Sequence, residues 1–133
     1  MKVLARLDVP SIAGGINVTA SFAQKNRATV LAFLRGYLEG IHYLKENKEE
    51  SLKIFSKYLR NSDVKTLSYL YDEIAGRVER ELRPQPESVR FLLDLVALDY
   101  PQAQRLSEKD HWDLSLIDEI RQSGFIERLY RTR

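Results

Sequence analysis

The sequence predicts a mostly α-helical protein with two short strands near its N-terminus. Apolar and polar residues alternate only before residue 21, and this is the pattern of half-buried strands. From Thr29 onward apolar residues recur at spacings of three and four, as they do on one face of a helix. We therefore predict a single unit over residues 1–133, with a strand–loop–strand segment over 1–21 and a helical layer over 28–133.

The composition is that of an ordinary globular chain, and it excludes several classes of function. Hydrophobic residues make up 44% and charged residues 30%, so a chain of 133 residues can bury a core. The net charge of +2 is too small for a nucleic-acid-binding surface, and we expect no nucleic-acid partner. Cysteine is absent, which excludes disulfides and thiol chemistry. No apolar run is long enough to span a bilayer, and we find no signal peptide in these residues.

The two predicted strands lie on either side of a loop of small residues. The first strand is the apolar run from Val3 to Leu7, which is followed by a turn at Pro10. The second covers Ile16 to Ala20, where every second residue is apolar. The loop between them contains Gly14 and Gly15, which we expect to form a turn with positive φ angles.

The same loop contains the candidate ligand-binding residues. Gly14 and Gly15 have neither of the glycine spacings found in phosphate-binding loops, and the element predicted after them is a strand rather than a helix. A loop between two strands is nevertheless a reasonable place for ligand contact. The candidates are therefore Ser11, Gly14, Gly15 and Asn17.

The longest helix is predicted from Thr29 to about Glu46. Its apolar residues form one wide face, and Tyr43 lies at the margin of that face. Gly36 and Gly40 lower the helix propensity but permit close packing against a neighbour. The residues expected on the apolar face are Val30, Phe33, Leu34, Tyr37, Leu38, Ile41 and Leu44.

Capping residues and helix breakers divide the rest of the chain into shorter helices. A turn of helix is expected from Ser21 to Lys25, and Asn47 separates the long helix from the next. Asn61-Ser62-Asp63 is placed as the cap of a helix, Pro86 as a first-turn proline and Gly124 as a C-terminal stop. The further helices are therefore predicted over Lys48 to Arg60, Val64 to Val78, Pro86 to a point before Pro101, the residues from the Asp113 cap to Ser123, and Phe125 to Tyr130.

No combination of residues predicts catalysis or a metal site. His42 and His111 lie in different predicted elements and in no metal-ligand spacing, and we expect His42 on the helix surface near the apolar face. Glu49 and Glu50 point in different directions on a helix, which is typical of a solvated face. We therefore expect no enzyme activity, no catalytic residue, no metal and no cofactor.

The sequence resembles a known family over nearly its whole length, from about Val3 to Tyr130, and two stretches illustrate the resemblance. Residues 14–59, GGINVTASFAQKNRATVLAFLRGYLEGIHYLKENKEESLKIFSKYL, resemble the second half of the substrate-binding proteins of ABC importers, in the branch for nitrate, sulfonate, taurine and thiamine-precursor uptake. In that family a strand ending in Val-Thr, here Val18-Thr19, precedes a short turn, a long helix, a polar elbow and another helix. Residues 113–130, DLSLIDEIRQSGFIERLY, resemble the family's last helix, its Ser-Gly stop and its closing turn. Arg27 stands where proline is usual, which we expect to alter only the start of the helix.

The resemblance implies both a fold and a function. The fold is part of a type II periplasmic-binding-protein α/β fold, in which the long helix packs against the sheet of one lobe. Only two strands are predicted here, so most of that sheet and most of the ligand cleft would lie outside this sequence. The implied function is that of the solute-binding component of an ABC transporter, with a small-molecule solute and an ABC permease as partners. The full-length protein would be extracytoplasmic, either periplasmic or membrane-anchored.

The apolar face of the long helix predicts self-association when that sheet is missing. Large exposed apolar patches are rare on soluble monomers, so we expect a homo-oligomer with the region from Ile16 to Leu44 at its interface. The alternative function is a stand-alone helical module that binds a protein partner through the exposed part of the same face.

Overall fold

The computed structural model describes Pro10, Ile12 and residues 15–131, and within these residues the regular structure is helical. The predicted predominance of helix is thus confirmed. The helices are α1 (Ala20–Lys25), α2 (Arg27–Glu46), α3 (Lys48–Leu59), α4 (Val64–Arg77), α5 (Pro86–Val96), a 3-10 helix (Pro101–Arg105), α6 (Glu108–His111), α7 (Ser115–Gln122) and α8 (Phe125–Leu129).

The prediction of two short N-terminal strands, and with it of a type II periplasmic-binding-protein α/β fold, is wrong for the residues that the structure describes. Residues 15–19 have no regular secondary structure, and Ala20 already belongs to α1. The other predicted strand, Val3 to Leu7, lies outside the described residues. An alternating pattern becomes a strand only where a neighbouring strand pairs with its backbone groups. Residues 15–131 contain no such neighbour.

The chain divides into two compact units, which we describe separately. The α2 unit contains Ala20–Leu82 and the described residues of Ser115–Arg133. The α5 unit contains Arg83–Leu114 and the described residues of Met1–Thr19. Membership of a two-lobe binding fold stays a prediction.

The core of the α2 unit lies where α2 meets α7 and α8. Leu38 of α2 and Ile120 of α7 are 1% and 0% exposed. Helices from the end of the sequence therefore cover the apolar face of α2, which we had expected to require a sheet from outside this sequence. The buried residues of this core are Val30, Leu31, Leu34, Leu38, Leu116, Ile117, Ile120 and Ile126.

The buried face of α2 is narrower than the predicted one. Leu34, Leu38 and Ile41 are buried as expected. Phe33 and Tyr37 are 55% and 48% exposed, and their ring centroids lie 6.2 Å apart on the surface. The spacing of apolar residues located the face correctly, but it did not determine how much of that face the neighbouring helices cover.

Hydrogen bonds at helix ends join α4 to α2. Tyr71 Oη of α4 donates to the carbonyl oxygen of Leu44 at 2.7 Å, and Lys45 Nζ of α2 donates to that of Ala75 at 2.6 Å. Leu44 and Ala75 each lie in the last turn of their helix, where carbonyl groups lack an intrahelical partner. Each helix thus satisfies a carbonyl group at the C-terminal end of the other.

Polar contacts also position α3. Asn47 ends α2, and both its backbone N–H and its Nδ2 donate to the carbonyl oxygen of Tyr43, at 2.9 and 3.1 Å. Lys48 Nζ then lies 2.6 Å from Asp72 Oδ1 of α4. Ser51 is the one residue of α3 that is buried. The predicted polar elbow at Asn47 is confirmed.

The predicted caps and stops agree with the structure, with one shift. Asp63 accepts hydrogen bonds from the backbone N–H groups of Lys65 and Thr66, at 3.2 and 3.3 Å, and so caps α4. Gly124 adopts a φ angle of 68°, the left-handed conformation that favours glycine after a helix. The helix that Asp113 was expected to cap is α7 (Ser115–Gln122), which begins two residues after Asp113.

In the α5 unit, α5 begins at Pro86 as predicted. Val89, Leu93 and Ala97 recur every four residues and are buried, and Ala103 of the 3-10 helix is 2% exposed. The unit therefore has a small apolar core of its own.

Candidate functional site

The candidate ligand-binding residues from the sequence are not brought together by the described structure. Ser11 and Gly14 lie outside the described residues. Gly15 and Asn17 are exposed in the irregular segment 15–19. A Cβ atom added to Gly15 would meet nothing within 4 Å among the described residues. The positive φ angles at Gly14 and Gly15 stay a prediction. Ligand binding by these four residues stays a prediction.

Instead, the side chains of His42 and Arg80, from separate parts of the α2 unit, meet at the ring of Tyr130. The imidazole of His42 is nearly perpendicular to the ring of Tyr130, with the centroids 4.9 Å apart and an interplanar angle of 79°. The guanidinium carbon of Arg80 lies 4.6 Å from the centroid of the same ring. His42 belongs to α2, whereas Arg80 follows α4 and Tyr130 follows α8. We call these three residues the Tyr130 cluster.

The hydroxyl group of Tyr130 is the distinctive feature of this cluster. It is buried and has no hydrogen-bond partner among the described residues. Burial raises the pKa of Tyr130; the positive charge of Arg80 lowers this pKa and the negative charge of Glu46 raises it. The hydroxyl is therefore protonated at neutral pH and can donate a hydrogen bond. A buried donor without a partner is unfavourable, so an acceptor atom from water or a small ligand would stabilise this position.

The Tyr130 cluster has groups that can bind a polar ligand. Arg80 and Tyr130 can donate hydrogen bonds, and His42 can donate or accept one. Tyr130 Oη makes no hydrogen bond to a described residue, so its proton is available to an added acceptor. The cluster can therefore present a positive charge and hydrogen-bond donors to an electron-rich atom.

Sequence analysis missed this cluster because its members are far apart along the chain. His42 was expected on the helix surface near the apolar face, and it is half-buried there. Nothing in the local sequence around Arg80 or Tyr130 indicates that either residue lies near His42. The packing of α8 beside α2 brings Tyr130 to His42, and the segment after α4 brings Arg80 to the same ring.

The α5 unit has an apolar cavity of about 240 Å³. Ligand sites usually combine an apolar wall with a few polar groups that orient the ligand. This wall is apolar apart from the indole of a tryptophan, so it offers few groups for recognising a polar solute. The lining residues are Leu92, Leu93, Val96, Ala103, Leu106 and Trp112.

Several acidic residues of the described structure form surface ion pairs. Glu50 Oε1 lies 2.6 Å from Lys53 Nζ on the exposed side of α3. This agrees with the prediction that Glu50 lies on a solvated face. Glu119 of α7 pairs with Arg27 at the start of α2. Within the part of the chain that the structure describes, no three histidine, aspartate or glutamate side chains are grouped as a metal ion would require.

Three comparisons with known proteins found no match. No protein-family model matches it, no curated protein matches it, and no solved structure matches it. None of the described helices is both long enough and apolar enough to cross a membrane.

Proposed function

We propose that this chain is part of the solute-binding component of an ABC transporter, of the type that takes up nitrate, sulfonates, taurine or thiamine precursors. In this role it binds no substrate covalently and catalyses no reaction. The solute would be bound mainly by residues of a longer protein, and an ABC permease would receive it. The protein would act outside the cytoplasm.

The order and bounds of the helices support this proposal more than any other observation. The family pattern has a long helix, a polar elbow and a second helix, and the chain has α2, Asn47 and α3 in that order. The family's last helix, its Ser-Gly stop and its closing turn correspond to α7, Ser123-Gly124 and α8. The described residues contain no strand, so any sheet beside the cleft would have to come from elsewhere in the protein.

The amount of exposed apolar surface also supports a role within a larger protein. Among the described residues, seventeen large hydrophobic side chains are exposed, against fifteen hydrophobic residues in the core. Leu98, Tyr58 and Val64 are 79%, 77% and 70% exposed. Further polypeptide that covered part of this surface would add to the stability of the chain.

The proposal is tested by comparing this chain with the longer protein that its gene region encodes. The reading frame upstream of Met1 is sequenced, and any in-frame extension is expressed together with residues 1–133. Calorimetry with nitrate, taurine and a pyrimidine thiamine precursor is then carried out on both proteins. We expect the longer protein to bind one of these solutes with micromolar affinity and residues 1–133 alone to bind none tightly. An unrelated upstream gene with no in-frame extension would contradict the proposal, as would a longer protein that binds no small solute.

The second candidate function is a helical module that binds a protein partner. The observation in its favour is the surface of α3, where Ile54, Tyr58 and Leu59 are 45%, 77% and 54% exposed. Exposed aromatic and aliphatic residues of this kind are common at protein interfaces. The same experiment distinguishes the two functions. The solute-binding function requires an in-frame extension that binds a solute, whereas a stand-alone module requires no extension.

A further inference from the structure

The α5 unit contains an apolar cavity of about 240 Å³, for which the proposed function has no role. Leu92, Leu93 and Val96 of α5 line it. Leu92 and Leu93 lie four and three residues before Val96, so the three side chains project from one side of the helix. Ala103 of the 3-10 helix also lines the cavity, and its side chain ends at Cβ. The cavity thus lies where α5 packs against the 3-10 helix.

The cavity has a buried floor and an open mouth. Leu93 and Ala103 are 5% and 2% exposed, so they form its floor. Val96 and Leu106 are 40% and 37% exposed, so they lie at its mouth. All the described lining residues belong to Arg83–Leu114, and the cavity is therefore a feature of the α5 unit by itself. A small molecule can enter it from solvent without separation of the helices around it.

The wall of the cavity favours a neutral, apolar occupant. Among the described lining residues no side chain is charged, and Trp112 is the one whose side chain has a polar atom. A buried water molecule needs about two to four polar partners. A charged group would lose its hydration here without gaining a partner. An apolar molecule instead gains contacts with carbon atoms of the wall that otherwise face water.

The size of the cavity and the indole of Trp112 indicate an aromatic occupant. A closed apolar cavity of about 150 Å³ is large enough to bind benzene. A cavity of about 240 Å³ therefore has room for a bicyclic aromatic molecule. Trp112 can pair with such a molecule in an offset-stacked or edge-to-face arrangement. A rigid aromatic molecule also loses less conformational freedom on binding than an aliphatic chain of the same size.

We propose that the cavity of the α5 unit binds a small, neutral, bicyclic aromatic molecule, with Trp112 as its aromatic partner. Part of the molecule stays exposed at the mouth, so the affinity is modest, with a Kd on the order of 0.1–1 mM. Nitrate and taurine carry charges that this wall does not pair. The proposal therefore does not depend on a role in solute transport, and either proposal can fail without the other.

The first test follows Trp112 while indole is added to the full 133-residue chain. The chain has one tryptophan, so the isotope-labelled protein gives a single indole N–H signal in a nitrogen–proton correlation spectrum, and the unlabelled probe gives none. We expect this signal to shift along a saturating curve with a Kd in the range above. A Trp112 signal that does not move up to the solubility limit of indole overturns the proposal.

Two further probes test the chemical class of the occupant. Octanol has the same number of non-hydrogen atoms as indole but no aromatic ring, and its Kd should be several-fold higher. Indole carboxylate adds a charge to the same ring system and should bind about tenfold more weakly than indole, or worse. Octanol that binds as tightly as indole overturns the aromatic specificity. A carboxylate that binds as tightly as indole overturns the requirement for a neutral molecule.

Two variants of neighbouring residues on α5 test the location of the site. Val96→Phe places a ring at the mouth of the cavity and should raise the Kd for indole by about tenfold or more. Val96 is 40% exposed, so this substitution leaves the buried floor in place. Leu95→Phe is the matched control and should leave the Kd unchanged, because Leu95 is 53% exposed and is not among the lining residues. A Kd that does not rise in Val96→Phe, or that rises equally in both variants, overturns the proposal.

Discussion

The two parts of the α2 unit are stabilised in different ways. Where α2 meets α7 and α8, the contact is apolar, and Leu38 and Ile120 are almost completely buried. In the hairpin formed by α3 and α4, Leu67 and Tyr71 of α4 are buried, and Ser51 is the one buried residue of α3. Hydrogen bonds attach this hairpin to the end of α2, because Tyr71 donates to the carbonyl oxygen of Leu44 and Lys45 donates to that of Ala75.

The comparison distinguishes contacts between regions that are distant in sequence from contacts that only position a local segment. The contact of α2 with α7 and α8 joins regions that are far apart in sequence, so its loss exposes the main apolar core. The hairpin of α3 and α4 joins neighbours in sequence, and five of its large apolar residues are exposed, namely Ile54, Tyr58, Leu59, Val64 and Tyr69. We therefore expect the hairpin to open at a lower free energy than the core.

The largest expected effect comes from a charge in the apolar core. Leu38→Asp places a carboxylate at a position that is 1% exposed. This costs several kcal/mol, which is comparable to the whole free energy of unfolding of a domain of this size. We expect the variant to be unfolded or aggregated by circular dichroism. Phe33→Asp on the exposed side of the same helix is the control and should keep a cooperative melting transition. Normal melting of Leu38→Asp would show that this contact is not the core.

Side-chain truncation compares the two parts directly. Ile120→Ala removes buried carbon atoms from the core and should lower the free energy of unfolding by about 2–5 kcal/mol. Leu59→Ala, at a position in the hairpin that is 54% exposed, should change it by less than about 0.5 kcal/mol. Urea denaturation measures both values. Equal losses in the two variants would mean that the hairpin is as well packed as the core.

A smaller effect is expected from one hydrogen bond between the hairpin and α2. Tyr71→Phe removes the donor to the carbonyl oxygen of Leu44 and should destabilise the chain by about 1 kcal/mol. Amide hydrogen exchange should show the greatest loss of protection near the ends of α2 and α4. Tyr58→Phe is the control, because Tyr58 is 77% exposed. Unchanged exchange at both helix ends in Tyr71→Phe would argue that this hydrogen bond does not hold the hairpin.

The smallest expected effect depends on pH and concerns the cap of α4. The hydrogen bond from the Thr66 hydroxyl lowers the pKa of Asp63 below its ordinary value of 3.8. A carboxylate whose pKa is lower in the folded chain stabilises the fold above the unfolded pKa, and the contribution is lost as the pH falls through the folded pKa. Asp63→Ala should therefore lower the Tm at pH 7 and have less effect at pH 2. The same difference in Tm at both pH values would mean that the charge of Asp63 does not matter.

The predictions that succeeded depend on local chemistry. Asn47, Asp63, Pro86 and Gly124 act within one turn of chain, through a backbone cap, a constrained φ angle or a left-handed conformation. Such effects require no distant partner, so the helix bounds could be predicted to within a few residues. The second strand failed for the opposite reason, because a strand over Ile16 to Ala20 needs a partner that the described residues do not supply.

What the sequence by itself determined is the helical order of this chain and the side of α2 that is apolar. What only the tertiary structure decided is which helices cover that side, and how completely. The periodicity of α2 is equally compatible with a sheet and with helices as the covering element, since both bury an apolar stripe. The contact between His42 and Tyr130 depends on the same choice, because His42 lies on α2 and Tyr130 follows α8. Local propensity acts over a few residues, whereas a core and a cluster require contacts between residues far apart in the chain, and those contacts are settled by packing.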